Sequence, residues 1–145
     1  MKGLKENRGF TLIELLAVIV VLAIVMVLAV TTVLPYMESA KKNAFVVEAN
    51  AARDAASKAT SLIILGELKN NEGETNAYTP TTKGYCFTIE QLVMAGVIEK
   101  ADTDGYDGLV YADKVDGGKS YTYEVLAKSS DYYVIKTGAI KDTDI

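Results

Sequence analysis

Histidine is missing from this chain, and cysteine occurs once, as Cys86. Without imidazole the chain lacks the usual general base near neutral pH and the commonest transition-metal ligand. A single thiol closes no intrachain disulfide. Most hydrolytic and redox mechanisms are thereby removed, and carboxylate-only chemistry is left. No cluster of Lys and Arg interleaved with aromatics is present, so no phosphate-binding face is encoded and no direct nucleic-acid binding is expected.

What the chain does contain is unevenly placed. Half of its 145 residues are apolar, and the strongly apolar ones concentrate between Leu12 and Leu34. The remainder is rich in Ala, Tyr, Asp, Gly and Thr. That remainder is small and gains from packing on a long helix. The net charge of −4 is also segregated. Lys2, Lys5 and Arg8 against Glu6 make the start basic, and the part after the apolar run is acidic. A basic flank before an apolar run marks the cytoplasmic side, which places the acidic domain across the membrane.

Residues 15–34 read LLAVIVVLAIVMVLAVTTVL. About 20 such residues span a hydrocarbon core of about 30 Å as a helix. A removable signal peptide has a shorter apolar region and ends at a small-x-small site, which Pro35, Tyr36, Met37 and Glu38 do not supply. Glu14 is the anomaly, because an ionised carboxylate in lipid costs several kcal/mol. It either snorkels to the interface, as charges at helix ends do, or meets a cationic partner.

Gly9, Phe10, Thr11, Leu12, Ile13 and Glu14, preceded by the basic leader and followed at once by the apolar run, resemble the processing site of type IV prepilins. They equally resemble that of the pseudopilins of type II secretion and competence systems. The resemblance covers about the first third of the chain. It implies cleavage after Gly9 by a prepilin peptidase that then methylates the new terminus at Phe10. Glycine lets an extended backbone enter a tight site. Cleavage creates an amine at Phe10, and Glu14 then lies one helical turn away, where the helix dipole favours a carboxylate. In the family this glutamate meets the terminal amine of a neighbouring subunit, and the pairing favours assembly and fixes register. The implied partners are the peptidase/methyltransferase, like or related pilin subunits, the assembly platform with its ATPase, and membrane lipid. The implied localisation is a single-pass cytoplasmic-membrane protein, then a surface pilus or a pseudopilus. No catalytic role and no required cofactor are implied. The reading of a different class is a single-pass membrane-anchored binding or sensory domain.

Three segments are expected: a leader over 1–9, a membrane and assembly half-helix over 10–35, and an extracytoplasmic head over 36–145. The fold class is α+β and pilin-like, a long N-terminal helix packed on a small antiparallel sheet. Pro35 removes a backbone hydrogen bond and kinks the helix or loosens its turn, with Thr31 and Thr32 placed to satisfy the freed groups. Beyond it Ala40, Ala44, Val47, Ala51, Ala55 and Leu62 recur at helical spacing and predict a small apolar stripe facing the sheet. Lys41, Lys42, Glu48, Arg53, Asp54 and Lys58 lie off that stripe. One helix from about Thr11 to Leu65 follows.

Gly66 ends the helix, and a polar loop runs through Thr82, Lys83 and Gly84. Thr88 then caps a short helix with Gln91 completing a capping box and Gly96 at the C′ position. A similar short helix ending in Ala-Gly before an apolar pair, here Val97 and Ile98, occurs in many pilin-like proteins of Gram-positive bacteria. Strands are predicted over 109–112, 121–126 and 132–137, with turns at 116–119 and 129–131.

Asp102, Asp104 and Asp107 alternate around Gly105, a carboxylate pattern that suits calcium. They resemble the loop in which some secretion pseudopilins hold that ion. The pattern lacks the full twelve-residue EF-hand spacing, and a solvated turn is the plainer reading. Cys86, between Tyr85 and Phe87, reads as a small buried hydrophobe, with redox or crosslinking as the alternative. Many pilins of Gram-negative bacteria carry a C-terminal disulfide loop. This chain departs from them, which points to a Gram-positive or otherwise atypical source, or to a pseudopilin. The nine tyrosines are expected to half-bury on the sheet with wet hydroxyls.

Overall fold

The computed structural model describes residues 10–68, 78–99, 105–115, 117 and 119–145. The chain divides into two compact units, Met1–Ala40 and Lys41–Ile145. Its first element, α1, is a 54-residue helix over Leu12–Leu65. In the first unit every side chain of this helix is exposed. Leu12 and Ile13 are followed by Leu, Val and Ile on all sides, so no polar face exists to turn toward water. Pro35 lies inside α1 without interrupting it. The hydroxyls of Thr31 and Thr32 do not reach the Thr31 carbonyl that Pro35 leaves without its usual donor. Thr31 Oγ1 donates to the Leu28 carbonyl at 3.0 Å, and Thr32 Oγ1 to those of Leu28 and Ala29 at 3.3 and 3.0 Å. A short Thr side chain bonds three or four residues back along its own helix. Both therefore serve the preceding turn.

The second unit holds the core. The elements after α1 are β1 (Thr79–Pro80), β2 (Gly84–Thr88), α2 (Ile89–Met94), β3 (Asp107–Val115), β4 (Ser120–Lys128), β5 (Tyr133–Thr137) and a 3₁₀ turn at Asp142–Asp144. The strands form one antiparallel sheet in sequence order, β1 to β5. This is the α+β arrangement expected, a long N-terminal helix with an antiparallel sheet packed on its later part. Phe87, Val110, Val125 and Val134 fill the inner face, against Phe45 and the alanines of α1.

The buried stripe of α1 is Phe45, Ala49, Ala52, Ala56 and Ala59, joined by Ala55 and Thr60. Of the stripe predicted from sequence, only Ala55 is buried. Ala40, Ala44 and Val47 are exposed, and Ala51 and Leu62 are half-buried. The helix has alanine on two sides, so small-residue periodicity fits both. Phe45 decides between them, since it carries the largest apolar area of this stretch and packs edge-on against Tyr106 at 5.7 Å.

The predicted loop through Thr82, Lys83 and Gly84 is a correction in part. Gly84 begins β2, whose five residues pair with β3 from Gly84↔Asp113 to Thr88↔Leu109. β2 is buried on both faces at Cys86 and Phe87, so it shows no alternation of polar and apolar residues. The predicted strands are present and longer at most ends. The short helix is capped as expected. Gln91 N–H donates to Thr88 Oγ1 at 3.1 Å, and Thr88 N–H to Gln91 Oε1 at 2.9 Å. Gly96, at φ 68°, closes it, with its N–H on the Val93 carbonyl and the Val97 N–H on that of Leu92.

Candidate processing and assembly site

The first turn of α1 is built by Thr11 and Glu14. Thr11 is the N-cap. Its hydroxyl accepts from the Glu14 N–H at 3.3 Å, its carbonyl accepts from Leu15 N–H at 3.2 Å, and its own N–H donates to Glu14 Oε2 at 2.8 Å. The Thr11 hydroxyl also donates to Oε2 at 2.8 Å. Thr11, Leu12, Ile13 and Glu14 thus form a capping box, two backbone donors satisfied reciprocally at a helix start. The sequence carries this signature in its Thr-x-x-Glu spacing, as it does in the Thr-x-x-Gln spacing of Thr88 and Gln91.

The geometry gives Glu14 a resting partner in its own chain. Oε2 is held, and the side chain stays exposed beside Phe10, which is 89% exposed. Gly9 lies outside the described residues. From Leu15 to Val30 the exposed surface of α1 is apolar throughout, with the large side chains between 48% exposed at Val30 and 70% at Met26. Among the described residues α1 is the one helix long and apolar enough to cross a membrane.

The three aspartates are less defined. Asp102 and Asp104 lie outside the described residues. Asp107 opens β3, is exposed, and pairs across the strands with Lys128. A shallow depression of 390 Å³ lies here, lined by Gly105, Tyr106, Asp107, Lys128 and Ser129. Among the described residues no three acidic, Cys or His side chains converge to hold a metal ion. Tyr106 beside it is buried, and its hydroxyl finds no hydrogen-bond partner among the described residues. Burial, with the nearby Glu48 and Asp107 charges, pushes its ionisation far above the ordinary phenol range.

Cys86 is buried on β2. Burial pushes its thiol up, and a hydrogen bond with Tyr111 offsets this in part. That is the setting of a packed, unreactive cysteine rather than of a nucleophile. Most of the tyrosines do half-bury: Tyr78, Tyr85, Tyr121, Tyr123 and Tyr132 pack against the core, while Tyr133 is 75% exposed.

Residues 4–30 match the family model described as the prokaryotic N-terminal methylation motif. No curated protein and no solved structure was found to match the chain. The motif supports a type IV pilin or pseudopilin-type protein. It supports a prepilin-type substrate, and with the apolar helix it suggests membrane anchoring.

Proposed function

We propose that this motif-bearing chain is a prepilin or pseudopilin that is cut between Gly9 and Phe10, methylated at Phe10, and polymerised into a type IV pilus or a secretion- or competence-type pseudopilus. The observation that carries the reading is the methylation-motif match, which spans Gly9, Phe10 and Glu14. Lys2, Lys5 and Arg8 keep the leader cytoplasmic, where the peptidase acts, and the head lies across the membrane. The apolar part of α1 stores the subunit in lipid until the assembly platform extracts it.

Both halves of the capping box lie after Gly9, so removing the leader leaves Thr11 and Glu14 bonded. Cleavage adds a cation one residue before Thr11. Thr11 offers Glu14 neutral donors only, whereas the amine brings a full opposite charge, whose attraction for the carboxylate is strong in low-dielectric surroundings. The Phe10 amine of an adjacent subunit therefore displaces Thr11 from Glu14 as the filament grows. The box lowers the cost of Glu14 in the stored subunit, and the intersubunit pair adds the remainder on assembly.

The test is N-terminal sequencing and intact mass on protein from its native cells, for the wild type and Glu14→Ala. The expected mature chain begins at Phe10 and carries one added methyl group. Glu14→Ala is expected to be cleaved and to stay in the membrane, absent from sheared filaments. A chain retaining residues 1–9 in cells with an active prepilin peptidase would sink the processing step. Normal incorporation of Glu14→Ala would remove the assembly role of Glu14, and absence of the wild type itself from sheared filaments would leave a single-pass binding or sensory domain.

A further inference from the structure

Residues 138–145 leave the sheet after β5 and return to α1. Pairing with β4 ends at Gly138, whose N–H donates to the Tyr123 carbonyl at 2.9 Å and whose φ is 89°. That angle lies in the left-handed region, so the chain turns here at a residue without a side-chain penalty. Two residues on, Ile140 inserts into the helix–sheet core and is 4% exposed. Lys141, Asp142 and Thr143 are exposed.

The polar attachment is concentrated in one side chain. Asn50 Nδ2 donates to the Ile140 carbonyl at 2.9 Å, and Asn50 Oδ1 accepts from the Ile140 N–H at 3.0 Å. Nδ2 also donates to the Val46 carbonyl of its own helix at 2.9 Å. Both bonds to Ile140 are exchanged reciprocally, as a neighbouring strand would exchange them. The side-chain amide thus replaces a backbone partner that α1 cannot offer. A second tie joins the segment to β5. Lys136 Nζ lies 2.6 Å from both carboxylate oxygens of Asp144, and the Lys141 N–H donates to Asp144 Oδ2 at 2.8 Å.

We propose that residues 138–145 form a strap over the seam between α1 and β5, latched by Asn50, that opens about Gly138 while the helix–sheet core stays folded. The segment contributes one fully inserted side chain, Ile140, and a half-buried one, Ile145, against the core. The rest of the core comes from α1, β2, α2, β3, β4, β5 and Tyr106. Few apolar contacts and an exposed outer edge are what distinguish a unit that opens locally from one that opens with the whole. The single cysteine lies on β2, so no disulfide within the chain fixes this segment, and the latch is reversible. The strap does not depend on the processing reading, since none of its residues belongs to the motif.

The full chain in detergent micelles, digested with trypsin and followed by intact mass, tests the latch. Lys141 reports the strap, and Lys114, Lys128 and Lys136 report β3, β4 and β5. Asn50→Asp keeps size and the acceptor for the Ile140 N–H, and it sets an anionic oxygen against the carbonyls of Ile140 and Val46. It is expected to raise cleavage after Lys141 by about tenfold or more, with Lys114, Lys128 and Lys136 unchanged. Asp144→Asn is expected to raise strap cleavage by less than about threefold, since a half-exposed ion pair contributes little. In the wild type, hydrogen exchange at the Ile140 N–H is expected to be at least about tenfold faster than at Val125. Unchanged strap cleavage in Asn50→Asp, an equal effect from Asp144→Asn, or acceleration shared by all four lysines overturns the proposal. So does exchange of Ile140 in step with Val125.

Discussion

The two parts of α1 are made of different residues for different neighbours. From Leu12 to Leu34 the helix carries large aliphatic side chains, all exposed. From Phe45 to Thr60 it buries alanines at or near 0% exposure. Small side chains let a sheet approach the helix backbone closely, and the inner face of the sheet supplies the bulk through Phe87, Val110 and Val125. Large side chains on every side leave no room for a close partner and no polar face for water. Side-chain volume, more than hydrophobicity, therefore separates the part of the helix that satisfies itself within the chain from the part that needs lipid or other subunits. Exposed apolar area on this scale marks an interaction surface.

The sharpest way to break that comparison is to delete the same kind of bulk from each region. Phe87 is fully buried, with Tyr78 and Tyr85 each 6.4 Å away between ring centroids. Phe87→Ala is expected to lower head stability by about 3–5 kcal/mol. Leu22, by contrast, is 60% exposed. Leu22→Ala is expected to leave head unfolding unchanged. Near-ultraviolet circular dichroism of the full chain in micelles, followed through denaturant, reads the head in both variants. A loss with Leu22→Ala comparable to that of Phe87→Ala would show that the apolar helix packs on the head.

Adding bulk tests the same distinction from the other side. Ala56 is 0% exposed at the helix–sheet seam. Ala56→Leu forces the sheet away or a rotamer off its minimum and is expected to cost about 1–3 kcal/mol. Ala23, exposed in the aliphatic half, tolerates the same change, and Ala23→Leu is expected to leave the melting midpoint of the head in place. A tolerated Ala56→Leu would mean that the alanine face does not set the helix–sheet distance.

The alanine face also marks where sequence reasoning reached its limit. The aliphatic run, the capping boxes and the three long-strand signals are local patterns, each set by neighbours within a few residues, and they were legible. The helical stripe was placed on the wrong side because Ala44, Ala51, Ala52 and Ala56 have nearly the same helix propensity and little volume to discriminate faces. Phe45 was the signal that discriminates. β1 and β2 escaped because β1 is two residues long and contains Pro80, and β2 is buried on both faces. At the candidate site, Glu14 stands out by its cost in lipid, and its bonding to Thr11 is legible in the Thr-x-x-Glu spacing. Asn50 gave no signal at all. Its partner Ile140 lies 90 residues away, and nothing in the surrounding residues announces the contact.

The smallest expected effect is electrostatic, and it lies in the head alone. The Lys136 ammonium, and then the Lys141 N–H, hold the Asp144 carboxyl below the usual carboxylate range. A carboxylate whose folded pKa is depressed adds stability above its unfolded value, about 3.9. That stability is lost as pH falls through the lower folded value. The melting midpoint of the wild type is therefore expected to lie slightly above that of Asp144→Asn at pH 7. The gap closes progressively as pH falls below about 4 and through the lower folded value, because protonated Asp144 no longer pairs with Lys136. Every other carboxylate titrates in both proteins and cancels in the difference. In the first part of α1 only Glu14 and Glu38 carry such a charge, so the closing gap belongs to the head. A gap that stays constant across this range would mean that the Lys136–Asp144 contact acts through packing and hydrogen-bond geometry, not charge. It would then distinguish the strap from the apolar part of α1 only by shape.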